Sequence, residues 1–208
     1  MRLSPDHERI ETAHGTCVLL ELRDDQLADA LAALPAAERD HARSLGEVRR
    51  RDLIAGRTAL HLALEDFSHA ILADDRGAPL LPPGLSGSVS HKGRFAAAIV
   101  AGAEGGFVGI DLEHAAPPRL DIASRILTPR EQRLLPDRGR AVTLRFAIKE
   151  AIYKAIDPVV RRYVGFTEVE LELLEDRCAI TTAIPLAIEA HWREHGAHWL
   201  ATARAVRR

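Results

Sequence analysis

The spacing of apolar and polar residues divides the chain into alternating helical and extended stretches. Residues 15–22, GTCVLLEL, are β-branched and leucine-rich behind a glycine, which predicts a strand. Residues 24–67 read as helical. DDQLADALAAL opens on an aspartate cap, Pro35 allows a break and restart, and EVRRRDLIAGRTALHLALEDF sets Leu53, Ala59, Leu60 and Leu64 at helical spacing. Residues 69–73 read as a short strand, and DDRGAPLLPPGLSG as turns. SVSHKGRFAAAIVAG predicts strand, turn, strand, and GFVGIDLE the strand after the glycine-rich connector at Gly102, Gly105 and Gly106. Residues 114–140 read as a loop with short helices, and 139–157 as one long helix. FTEVELELL alternates Val169, Leu171 and Leu173 with Glu168, Glu170 and Glu172, and RCAITTAI, LAIEAHW and HWLATARAV close the chain as strands.

This element order predicts an α+β fold of two similar halves, 1–104 and 105–208, packed as a pseudo-dimer within one chain. There is no sequence repeat to support the division. With 208 residues, 47% hydrophobic and 28% charged, the chain is long enough to bury a core and polar enough to be a soluble globule. A net charge of −2 argues against wholesale nucleic-acid binding. The N-terminal stretch is too charged for a signal peptide, and no apolar run reaches the ~18 residues a bilayer span needs. Cys17 and Cys178 match no metal spacing and read as buried thiols. The expectation is a cytoplasmic protein without a membrane partner.

Within VGIDLE, period-two alternation sends Val108, Ile110 and Leu112 to one face and Gly109, Asp111 and Glu113 to the other. The two carboxylates lie roughly 7 Å apart along the strand. They are either solvated acids on an exposed face or ligands for a hard cation such as magnesium. In FAIKEAIYKAIDP, Glu150 and Lys154 are four apart and share a helix face. That pattern is a surface ion pair or one edge of a site. Gly109 beside Asp111 removes a side chain where another backbone could approach. Ser90 and His91 stand at a strand-to-turn junction that suits an anion. Arg57 follows Arg49, Arg50 and Arg51, as a solvated helix face would.

Taken together, VGIDLE and the second glutamate of FAIKEAIYKA, 37 residues after Glu113, resemble the signature of 4′-phosphopantetheinyl transferases. The upstream S-x-SH and AGR resemble the longer, monomeric, surfactin-synthetase-activating class, so the likeness runs from about residue 50 to 158. It implies magnesium-dependent transfer of 4′-phosphopantetheine from coenzyme A to a serine of an acyl or peptidyl carrier protein, releasing 3′,5′-ADP. It further implies that Asp111, Glu113 and Glu150 hold magnesium and that Lys154 contacts the pyrophosphate, with Glu150 and Lys154 catalytic. Lys149, Ser90 and His91 would lie on the phosphates and Arg57 on the 3′-phosphate. Two positions depart from the pattern: Ala147 replaces a small polar residue, and Ala78 replaces a lysine whose charge Lys92 or Arg76 would have to supply. Glu131 reads either as a helix cap behind Thr128 and Pro129 or as an acid that assists as base. A metal-dependent phosphohydrolase and a non-catalytic coenzyme A-binding module remain the competing functions. Six arginines between residues 119 and 140 (Arg119, Arg125, Arg130, Arg133, Arg138 and Arg140) stand against Asp121, Glu131 and Asp137. That surplus is either a solvated basic helix face or, as the resemblance implies, a docking face for an acidic carrier.

Overall fold

The computed structural model describes residues 6–135 and 139–208. The chain divides between Glu104 and Gly105 into two compact units, each mixing helices with antiparallel strands.

In the first unit, β1 (His7–Thr12), β2 (Gly15–Glu21), β3 (Leu85–Lys92) and β4 (Phe95–Gly102) form one sheet in the order β1-β2-β4-β3. Three helices, α1 (Leu27–Ala33), α2 (Ala36–Ser44) and α3 (Glu47–Leu64), connect β2 to the loop before β3. Leu20, Ile54, Leu60, Ala96 and Ala98 make the core where α3 covers the sheet. The expected break at Pro35 falls between α1 and α2, and a second lies at Gly46, which caps α3. β1 was not anticipated. It is an exposed edge strand whose charged residues show no apolar alternation, since Ile10 alone among its six residues is buried. Residues 69–73 are not a strand. Ala73 makes an isolated bridge to Pro79, and the Asp74 carboxylate accepts from the Arg76 and Ala78 amides, so the segment turns before a ladder can form.

In the second unit, β5 (Phe107–His114), β8 (Leu186–His195) and β9 (His198–Arg207) form a sheet in the order β5-β9-β8. A separate ladder joins β6 (Val169–Leu173) to β7 (Cys178–Thr182). Between β5 and β6 come two short helices, α4 (Ala123–Ile126) and α5 (Pro129–Leu134), then the long α6 (Arg140–Val160). The helix outruns its expected end by three residues. Pro158 falls in its last turn, and Arg161 closes it in the left-handed region at φ 47°.

Alanine recurs every four residues along α6, at Ala147, Ala151 and Ala155, all fully buried. The sheet answers with small residues, since Gly109 lies opposite Ala203 and Asp111 opposite Ala201. Without side-chain bulk the two backbones come close. A Cβ on Gly109 would sit 2.0 Å from the Ala151 carbonyl oxygen and 2.8 Å from the Ala155 nitrogen. That approach brings the polar edge of α6 within reach of β5.

Cys17 is buried in β2, and Cys178 is half-buried in β7, where desolvation pushes its thiol up to about 12. Among the described residues no helix is long and apolar enough to cross a membrane.

Candidate functional site

Asp111 is 4% exposed, so the pictured solvated strand face does not exist there. Its Oδ1 accepts a bond from Lys154 Nζ at 2.6 Å, and the same ammonium donates to the Ile110 carbonyl at 3.0 Å. Lys154 therefore reaches from α6 across to β5. Glu150, one turn earlier on the helix, has its carboxyl pushed above the ordinary value, first by burial and then by the negative charges of Asp111 and Glu113. Lys154 offsets part of that. Glu113 is half-buried, two residues along the same strand face. At the far end of that face, Arg140 lies over the Trp199 ring at 4.5 Å and pairs with Glu194. The second unit thus brings Asp111, Glu113, Glu150 and Lys154 to one β5–α6 contact.

Three carboxylates and one ammonium make a hard oxygen donor set with a surplus of negative charge. Among the described residues no three His, Cys, Asp or Glu side chains are set to hold a metal ion as the chain stands, and Lys154 occupies one Asp111 oxygen. The residue types nevertheless fit magnesium. The like charges that raise the Glu150 carboxyl are those a divalent cation would relieve.

Lys149 does not join this group, which corrects its expected place on the phosphates. It is 3% exposed and points the other way. Its ammonium donates to the Ile126 carbonyl (2.7 Å), Glu131 Oε2 (2.7 Å) and the Phe166 carbonyl (3.1 Å). Those bonds use all three of its protons. Burial lowers its pKa and the Glu131 carboxylate pulls it back up. Glu131 closes a capping box with Thr128 and also accepts from the Leu171 amide at 3.0 Å. The capping alternative for Glu131 is the one present, with the buried ion pair added.

The first-unit candidates do not converge either. Arg57 is 6% exposed, not on a solvated helix face; burial lowers its pKa and Glu38 raises it. Its Nε is buried with no hydrogen-bond partner among the described residues, a vacancy that suits an anion. Ser90 and His91 are adjacent in β3, so they point to opposite faces: Ser90 is buried and His91 is exposed. His91 Nδ1 lies 3.5 Å from Asp52 of α3. His91 and Lys92 line a cavity of about 950 Å³, with Leu27, Leu31, Arg51 and Ile54 on its walls. The sequence held no signal for Asp52 as the partner of His91, because the two lie 39 residues apart without a motif between them.

A buried Glu38–His61 pair was also missed. Glu38 accepts from His61 Nε2 at 3.0 Å and from the Ile71 amide. It occupies the third position of α2 behind Pro35, as Glu131 does in α5 behind Thr128, and that repeated spacing was available to be read.

Residues 107–205 match the family model for the 4′-phosphopantetheinyl transferase superfamily, and residues 37–101 match that for the 4′-phosphopantetheinyl transferase N-terminal domain. The chain is 37% identical over 170 residues to 4′-phosphopantetheinyl transferase Npt of Nocardia iowensis, covering 77% of this chain and 73% of that one. It is 31% identical over 155 residues to 4′-phosphopantetheinyl transferase PptT of Mycobacterium tuberculosis, covering 70% and 67%. Among solved structures, Thermotoga maritima holo-[acyl-carrier-protein] synthase aligns over 49% of this chain and 63% of its own, at 26% identity and a TM-score of 0.37. The matches to Npt and PptT cover more of the chain than either unit alone. On them, this chain belongs to the 4′-phosphopantetheinyl transferase superfamily.

Proposed function

We propose that the protein transfers 4′-phosphopantetheine from coenzyme A to a serine hydroxyl of an acyl or peptidyl carrier protein, with magnesium, releasing 3′,5′-ADP. The observation that carries this reading is the meeting of Asp111, Glu113, Glu150 and Lys154 at one contact between β5 and α6. Phosphoryl transfer asks for positioning and charge neutralisation rather than covalent chemistry by the protein. Asp111, Glu113 and Glu150 would hold magnesium, which when bound supplies Lewis-acid neutralisation of pyrophosphate charge.

Lys154 then exchanges Asp111 for a pyrophosphate oxygen and stabilises the leaving 3′,5′-ADP. Glu150, beside the metal position, accepts the serine proton as the hydroxyl attacks the β-phosphorus. Arg57, with its unfilled Nε, takes the 3′-phosphate of the adenosine, and His91 with Lys92 adds donors for phosphate oxygens. Ser90 was expected to bind phosphate beside His91. Facing the other way, it would reach one only from the opposite side of the strand. The first unit is in this reading the adenosine side and the second the metal side.

The carrier would dock on the arginine-rich segment after β5. Arg119, Arg125 and Arg133 are exposed there, whereas Arg130 is spent on Glu170 and Glu172, and Arg140 on Glu194. Asp137 and Arg138 lie outside the described residues. The resemblance to the long, monomeric class supports a monomer, and the sequence composition a cytoplasmic one.

Incubation with coenzyme A, magnesium and an apo-carrier protein tests the reading. A mass gain on the carrier with release of 3′,5′-ADP supports it. Cleavage of coenzyme A without carrier labelling indicates a phosphohydrolase, and binding without turnover indicates a non-catalytic module. Either result overturns the proposal.

A further inference from the structure

The alanines of α6 that let β5 approach also leave the helix without shape on that face. Ala147, Ala151 and Ala155 give β5 no ridge to grip; Ile148, Ile152 and Ile156 beside them pack into the apolar core, and the setting of the polar edge of α6 asks for a further, directional contact. On the opposite side stands Lys149, whose three protons go to three separate pieces of chain. Ile126 ends α4, Glu131 lies in the first turn of α5, and Phe166 opens the turn before β6. Glu131 in turn binds the Leu171 amide of β6 and the Thr128 amide at the start of α5. Both side chains are about 1% exposed. A cavity against Lys149, lined also by Tyr153 and Phe166, measures about 10 Å³. That is room for no more than about one water.

From this arrangement we infer that Glu131 and Lys149 are a positioning pair. They peg the rotation and height of α6, and thereby aim Glu150 and Lys154 at the carboxylates of β5. Lys149 immediately precedes Glu150, about 100° around the helix, so fixing the direction of one fixes the other. Lys149 touches no substrate, and Glu131 is not the base. The inference rests on the proposed transfer reaction for its kinetic consequence but not for its geometric one.

Removing one partner alone strands a buried charge and risks unfolding. The test therefore uses the double substitution Glu131→Gln with Lys149→Met, which removes both charges at similar volume, and Lys149→Arg, which keeps the charge but cannot reproduce the three-way bonding. Two readouts are taken. The first is the side-chain ammonium NMR resonance of Lys154, whose shift reports its bonds to Asp111 and Ile110 and needs no turnover. The second is the split between kcat and KM for coenzyme A with an apo-carrier.

In the double variant, folded by circular dichroism, the Lys154 resonance is expected to move. kcat is expected to fall about 10- to 100-fold, as a misplacement near 1 Å can cost, with KM for coenzyme A within about twofold of the parent. Lys149→Arg is expected to fall between the two. An unmoved Lys154 resonance overturns the inference, because α6 would then hold its place without the pair. So does a rise in KM matching the loss in kcat/KM, which would make Lys149 a phosphate ligand, or an unchanged kcat. If the parent protein turns nothing over, the transferase reading falls, and the Lys154 resonance alone still decides the positioning claim.

Discussion

The two units use the same device to different ends. In the first, a glutamate at the third position of a short helix, Glu38 of α2, is buried against His61 of the long helix α3 and receives the Ile71 amide. In the second, Glu131 of α5 is buried against Lys149 of α6 and receives the Leu171 amide. Each pair ties a short helix and a passing strand or loop to a long helix over an antiparallel sheet. What differs is how close the long helix comes to its strand. Gly56 of α3 would meet only Val89 Cγ2, at 3.2 Å, if it gained a Cβ, whereas Gly109 of β5 faces backbone at 2.0 Å. Only the second unit closes that gap, and it alone places carboxylates on the strand face that the helix meets. The lesson is that a buried acid–base hub builds a scaffold in either unit, while chemistry needs the helix and strand backbones almost in contact.

The sharpest break of this comparison is at the two glycines. Gly109→Ala should force α6 off the sheet, destabilising by about 3 kcal/mol, at the upper end for overpacking, and abolishing any activity of the site. Gly56→Ala should be nearly neutral, because improved helix propensity of ~1 kcal/mol offsets a modest squeeze on Val89. Urea unfolding measures both, and similar losses at the two positions would erase the distinction. Next in size, Asp111→Asn should lower kcat/KM about 10²- to 10³-fold while the protein stays folded. Normal turnover at saturating magnesium would remove Asp111 from the site.

On the first unit, Arg57→Ala should weaken coenzyme A by about 1.5–3 kcal/mol and 3′-dephospho-coenzyme A much less. Calorimetry with both ligands decides it, and equal weakening would make Arg57 a partner of Glu38 alone. A smaller effect concerns stability. Glu150 binds its proton more tightly folded than unfolded, so the stability it lends is full below the ordinary carboxylate range and is lost as pH rises through its folded value. Glu150→Gln should therefore raise the melting temperature of the magnesium-free protein at pH 8 and leave it nearly unchanged at pH 4. A lower melting temperature at pH 8 would mean the carboxylate is already compensated. The mildest change is Arg125→Glu with Arg133→Glu. It should raise KM for the carrier, leave that for coenzyme A alone, and fade at high salt. Parallel changes in both constants would move the docking face elsewhere.

Much of the second unit was legible because its signals are local. The VGIDLE alternation, the four-residue step from Glu150 to Lys154 and the bare Gly109 each lie within a few residues, and the structure joins them directly. Lys149 was misread because sequence gives its neighbours but not its direction. The residues that claim it, Ile126, Glu131 and Phe166, lie 17 to 23 positions away. The first unit was harder for the same reason. Arg57 reads as one more arginine in a basic helix, and only the structure shows it buried, with the charge of Glu38 acting on it from α2. β1 carries its strand nature only in its pairing with β2, for its own residues are charged and exposed.

The cysteines have a consequence for the company this protein would keep. Coenzyme A ends in a free thiol, and so does the arm it would leave on a carrier. Thiol–disulfide exchange and capture of an oxidised thiol both begin from a thiolate. Cys17 is sealed in β2, and the Cys178 thiol, pushed up to about 12, is almost wholly protonated at neutral pH. In the proposed reaction, then, neither cysteine of the chain offers the thiolate from which a mixed disulfide with coenzyme A would start.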